Sequence, residues 1–213
     1  NTITARRTFT ADAHEMTIPL TYTLNASELA GTTTVVFENL YSDGALLATH
    51  ADLEDDEQTV YIPEIHTIAK DQTTKINHTE ATKEATIIDT VSYEGLEIGR
   101  EYTVKGVLMD KSTGEELKVN DESITAEETF IADAADMTIT LTCTLDAKTL
   151  AGNTTVVFET LYTEGKEVGR HHEIDDEDQT VYIPEIHTTA ADQKTGINHT
   201  ESEEQATIVD TVL

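Results

Sequence analysis

NTTVVFETLY occupies residues 153–162. Thr and Val dominate it, and its apolar residues run or alternate at the period of an extended chain. DMTITLTCTL (136–145) and EYTVKGVLMD (101–110) read the same way. DKSTGEEL, YEGLEIG and TEGKEVG are turn sequences at short spacing. LDAKTLAG predicts a brief helical turn ending at Gly152. Many short strands over about 120 residues predict an all-β fold, an antiparallel sandwich. Only 4 Phe and 7 Tyr, with no Trp, make its core aliphatic and modest. So thin a core invites an added clasp.

The strand is repeated. AGTTTVVFENLY at 30–41 returns as AGNTTVVFETLY at 151–162, and residues 71–91 return as 192–212, an offset of 121 both times. Residues 1–92 therefore match 122–213, while 93–121 appear once. PEIH, at 63–66 and 184–187, reads as the joint, since Pro breaks strand pairing. On this reading 1–65 is the C-terminal part of one repeat, 66–186 is a complete repeat and 187–213 begins another. The chain reads as a window on a tandem array.

Composition excludes several classes. Against 13 Lys plus Arg stand 42 Asp plus Glu, a formal charge of −29. Nucleic acid and anionic membrane surfaces need basic partners, so neither is expected. The one cysteine, Cys143, allows no disulfide within the chain, and its counterpart is Tyr22. No apolar run approaches a membrane span. His171 and His172 have no spaced Cys or His set around them, which argues against zinc. DLEDDE and EIDDED lack the glycine and spacing of a calcium loop. No metal or cofactor is expected. Asn25, Asn77, Asn153 and Asn198 lie in N-x-S/T sequences that arise readily in a Thr-rich chain.

HTTAAD (187–192), ATIVDTV (206–212), YEGLEIGREYTVKGVLMDKSTGE (93–115), AGNTTVVFETLY (151–162) and DEDQTVYIPEI (176–186) together resemble the ester-bond repeats of Gram-positive surface adhesins. The resemblance spans the whole chain. It implies tandem Ig-like antiparallel β-sandwiches, each carrying a self-made Thr–Gln ester between its first and last strands. The nucleophiles it implies are Thr67 and Thr188, and the acyl donors Gln58 and Gln179. The assisting groups it implies are Asp89 and Asp210, Glu38 and Glu159, His50 and His171.

The chemistry needs such a set. A Thr hydroxyl is a weak nucleophile until a base takes its proton, and a neutral His serves near pH 7. An amide carbonyl needs a donor at its oxygen as negative charge develops. Two buried carboxyls sharing one proton supply that donor, because both cannot ionise cheaply. His171 is the expected base, with Asp89 and Glu159 the proton-sharing pair; the roles could be exchanged among the three. A Lys isopeptide fits less well. Lys70 has Ala191 as counterpart and Lys105 has none, whereas Thr67 and Gln179 are both repeated.

The function expected is a stalk or fibre segment of a cell-wall-anchored extracellular protein. It would react once upon itself and not be an enzyme. Its partners would be neighbouring repeats, including head-to-tail copies of the same chain pairing Thr188 with Gln58, while another domain binds the host ligand. The alternatives are a ligand-binding sandwich module, an engineered split or permuted unit that ligates between chains, and a hydrolase with an open cleft.

Overall fold

The computed structural model describes residues 2–202 and 204–213. Among them the regular elements are strands and two short 3-10 turns, Ala26–Leu29 and Asp56–Gln58. No helix of the described residues is long and apolar enough to cross a membrane.

The chain divides into two compact units. The first gathers the residues up to Ile65 with Tyr93–Arg100 and Ile131–Met137. Its strands form pairs, Thr32–Val35 with Thr59–Ile62 and Glu38–Ser42 with Ala45–His50.

The second comprises His66–Ser92, Glu101–Phe130 and Thr138–Leu213. It contains a sandwich of eight main strands: β1 (Glu64–Asp71), β2 (Ala85–Glu94), β3 (Glu101–Asp110), β4 (Thr125–Ile131), β5 (Met137–Leu145), β6 (Thr154–Thr163), β7 (Lys166–His171) and β8 (Thr180–Tyr182). The ends of several run into the first unit. One sheet has the order β5-β2-β1, the other β4-β3-β6-β7, with β8 also pairing β6.

Side chains in a strand alternate between faces, and burial follows that period. On β2 residues 85, 87, 89, 91 and 93 are buried; on β1 residues 65, 67, 69 and 71 are. One apolar cluster draws Ala69, Ile87 and Cys143 from the first sheet and Leu108, Val157 and Val181 from the second, so the sheets pack face to face. Gly106 leaves room for Leu141 of the opposite sheet. A Cβ at this position would lie 2.9 Å from Leu141 Cδ1 of the opposite sheet.

β6 organises its sheet. Along one edge β3 pairs it from Thr155↔Asp110 to Tyr162↔Thr103. Along the other edge two short strands share it: β7 opposite Glu159–Thr163 and β8 opposite Thr154–Val156. The loop between them, residues 172–179, leaves the edge and returns to it. The first copy of the same sequence breaks, ending at Val35 and resuming at Glu38. It lacks a neighbour like β3 to hold it straight.

Two local expectations are revised. LDAKTLAG forms successive turns, with Thr149 N donating to Asp146 O and Leu150 N to Ala147 O (3.2 Å each), and ends at Gly152 with φ 86° but no helix. Only its first-copy counterpart closes a 3-10 turn, Ala26–Leu29. His66 lies inside β1 and not in a linker, because Pro63 alone separates Thr59–Ile62 from β1.

Candidate functional site

Four polar side chains are buried together inside the sandwich of the second unit. β1 brings Thr67 and β2 brings Asp89, both on inward positions of one sheet. β6 brings Glu159, flanked on its inward face by Val157 and Leu161. Gln179 stands immediately before β8. Exposure is 6% for Thr67, 1% for Asp89 and 0% for Glu159 and Gln179. Such groups are costly to bury without partners.

Yet partners are few. Gln179 Nε2 donates to Asp89 Oδ1 at 3.4 Å, a long bond. Thr67 Oγ1, Asp89 Oδ2, both Glu159 oxygens and Gln179 Oε1 have no hydrogen-bond partner among the described residues. Burial, and then the Asp89 carboxyl beside it, push the Glu159 carboxyl far above the usual range. Thr67 lies close enough to favour its ionised form slightly, though it closes no bond with good geometry. Asp89 is raised as well, again mainly by burial, with Glu159, Gln179 and His171 pulling it back. Two carboxyls this buried, with so few donors facing them, cannot both ionise cheaply.

Cys143 is a buried bystander. Burial, then the nearby Asp89 and Glu159, push its thiol up to about 12, so it stays protonated and inert.

His171 closes β7 directly opposite Glu159 in the strand register. Residues paired this way share a face, so the ring belongs to the interior side at the rim, 16% exposed. Its Nε2 lies 2.7 Å from Asp176 Oδ2. The other Asp176 oxygen, Oδ1, accepts from Asp178 N at 2.8 Å, and Thr180 Oγ1 donates to Asp176 O at 2.6 Å. Val157 N donates to Gln179 O at 3.2 Å, and Ala69 N to Asp178 O at 2.9 Å. The last bond joins β1, two residues beyond Thr67, to the residue before Gln179. First and last strands of the unit therefore meet at the site.

Asp176 was not among the residues singled out above, although the sequence carries a signal for it. Between the two copies of the acidic loop, 52–57 and 173–178, the other acidic positions exchange Asp for Glu. Only Asp55 and Asp176 keep their identity.

The remaining expected residues are not brought into such a set. In the first unit half-buried Glu38 pairs with exposed His50, His50 Nδ1 lying 3.5 Å from Glu38 Oε2, and Gln58 is half-buried. His50 Nε2 lies 3.0 Å from Asp55 Oδ2, and Val36 N donates to Gln58 O at 3.1 Å, so the loop geometry is repeated. Thr188 and Asp210 lie on an exposed hairpin, Thr188–Asp192 with Ile208–Val212. Among the described residues no group of three or more His, Cys, Asp or Glu side chains is arranged to hold a metal ion.

Three stretches, residues 1–62, 63–183 and 184–213, match the family model of the T-Q ester bond containing domain. No curated protein matches the chain. Among solved structures it is similar to a bacterial adhesin from Mobiluncus mulieris containing intramolecular disulfide, isopeptide and ester bond cross-links. In two crystal forms of that adhesin the identity is 16%, the TM-scores are 0.47 and 0.46, and the match covers 71% of this chain and 73% of the adhesin chain.

Proposed function

This chain belongs to the T-Q ester bond containing domains, and on that premise we propose that it is a stalk segment of a bacterial surface adhesin whose complete unit, residues 66–186, cross-links itself. The bond runs from Thr67 Oγ1 to the side-chain carbonyl carbon of Gln179. The C–N bond of the carboxamide breaks, the Thr proton passes to the departing nitrogen, and ammonia leaves. One observation carries this reading: a hydroxyl, a carboxamide and two carboxyls buried together, with nearly every oxygen unpartnered.

The roles follow from that placement. His171, oriented by Asp176, takes the Thr67 proton. Glu159, kept protonated by burial, donates toward the carboxamide oxygen as it becomes an oxyanion. Asp89 accepts from Gln179 Nε2 and so sits at the leaving group. Excluding water protects the product from hydrolysis. The reaction happens once per unit, so the protein is a structural module and no enzyme.

A covalent link between first and last strands lets pulling force bypass the sheet hydrogen bonds. That suits a segment holding an adhesive tip away from a cell wall, with host ligands bound by another domain. Gln58 and Thr188 belong by the same rule to neighbouring repeats, and where two copies meet head to tail they form the same bond. The test is a digest of the denatured protein. A peptide pair joined through Thr67 and Gln179 is expected, and recovery of both peptides unlinked would overturn the reading.

A further inference from the structure

One local sequence lies in two different surroundings. Gly31 and Gly152 are counterparts across the offset of 121, as are Glu64 and Glu185, and Ile65 and Ile186. Both glycines hold left-handed backbone, φ 76° and 86°. Their N–H groups donate to Ile62 O and Ile183 O at 2.8 Å. A glutamate leans over each, so that a Cβ on either glycine would lie 3.1 Å from Glu64 Oε2 or Glu185 Oε2.

There the likeness ends. Within the first unit Gly31 is covered by the turn that follows β2. A Cβ on Gly95 would lie 2.8 Å from Gly31 C and 2.9 Å from Gly31 O, and a Cβ on Gly31 would lie 3.2 Å from Glu94 Oε2. The two backbones touch, and neither face has room for a side chain. Ile65 is 7% exposed, whereas Ile186 is 72% exposed. Around Gly152 the close neighbour of an added Cβ among the described residues is Glu185.

The covering turn is firmly built. Gly95 N donates to Asp136 Oδ1 at 3.3 Å, Leu96 N to Ala135 O at 2.9 Å and Gly99 N to Ala132 O at 2.7 Å. Tyr93, Leu96 and Ala132 are each 1% exposed. It is a rigid knob whose tip is a bare glycine backbone.

We propose that Gly152, Glu185 and Ile186 form a docking socket for a second copy of this Tyr93–Gly99 turn, carried by a following repeat. The occupant is set by the first socket, where Gly31, with Glu64 beside it, already meets that turn. The proposal is independent of the ester.

The test uses the full chain and the same chain lengthened at its C-terminus by a further copy of residues 93–186, which continues the repeat register. In the unlengthened chain a nuclear Overhauser contact between the Hα atoms of Gly31 and Gly95 is expected, and its absence overturns the basis of the proposal. In the lengthened chain Gly152 gains the corresponding contact and its amide resonance shifts. A control carries Gly95→Asn in the appended copy alone. Asn tolerates left-handed backbone, so it blocks the close approach without straining the turn. Loss of the Gly152 shift in that control supports the socket. A shift that persists there, or none in either chain, overturns it.

Discussion

His171 Nε2 lies 2.7 Å from Asp176 Oδ2, and the same pair recurs in the first copy, with His50 Nε2 3.0 Å from Asp55 Oδ2. The second instance forms with no buried Thr or carboxyl pair around it. Local bonds therefore set the loop: Asp55 and Asp176 each also hold the N–H two residues on, of Glu57 and Asp178. The site receives its histidine already oriented. Asp176→Asn removes the negative partner of the ring while keeping its shape. Bond formation, followed as ammonia loss over time, should slow by at least tenfold, short of the ~10²–10⁴-fold that a positioned acid–base group itself contributes. In a Thr67→Ala background the same change should leave the melting temperature nearly unmoved. An unaltered rate would remove Asp176 from the mechanism.

Glu159→Gln tests proton sharing. It preserves volume and deletes the titrating group beside Asp89. The sandwich should fold, and cross-linking should fall to a small fraction of the parent rate. Linking at the parent rate would show that no proton shared by Glu159 and Asp89 is needed.

Thr67→Ala tests what the clasp does for stability. By analogy with a disulfide, closing a loop of about 110 residues between Thr67 and Gln179 is worth about 4–5 kcal/mol through the unfolded state. Chemical denaturation of Thr67→Ala should give a stability lower by roughly that amount, while Thr67→Ser should still cross-link. Equal stability of Thr67→Ala and the parent would show that the bond adds nothing.

The same unlinked variant exposes the buried acid. Burial and Asp89 raise the Glu159 carboxyl above its ordinary value of 4.5 in the folded state only. A group raised by folding contributes stability that is whole below the unfolded value and is lost as pH rises through the folded one. Thr67→Ala should therefore weaken steadily from mildly acid to mildly alkaline pH, and Thr67→Ala with Glu159→Gln should weaken less. Identical slopes in denaturant titrations would place the shifted group elsewhere.

Strand alternation made much of this legible in the sequence. EYTVKGVLMD is strand β3 from end to end, and DMTITLTCTL contains β5. Thr67, Asp89, Glu159 and Gln179 were singled out by the family resemblance, and the first three prove to lie on inward strand positions. Asp176 was hidden because an acidic run has no period, and every residue in it looks like a solvated charge. The exposure of His50, Thr188 and Asp210 was not legible either. Burial depends on strands of the same unit, and repeated local sequence is silent about whether those strands are at hand. The same reason separates Ile65 from Ile186.

Intact mass under denaturing conditions reads the Thr67–Gln179 ester without a digest. A chain lighter than the sum of its residues by one ammonia, roughly 17 Da, is expected, as acyl transfer from an amide to a hydroxyl requires. Thr67→Ala should show no such loss. A parent chain at its full residue mass, or a Thr67→Ala chain that still loses ammonia, would contradict it.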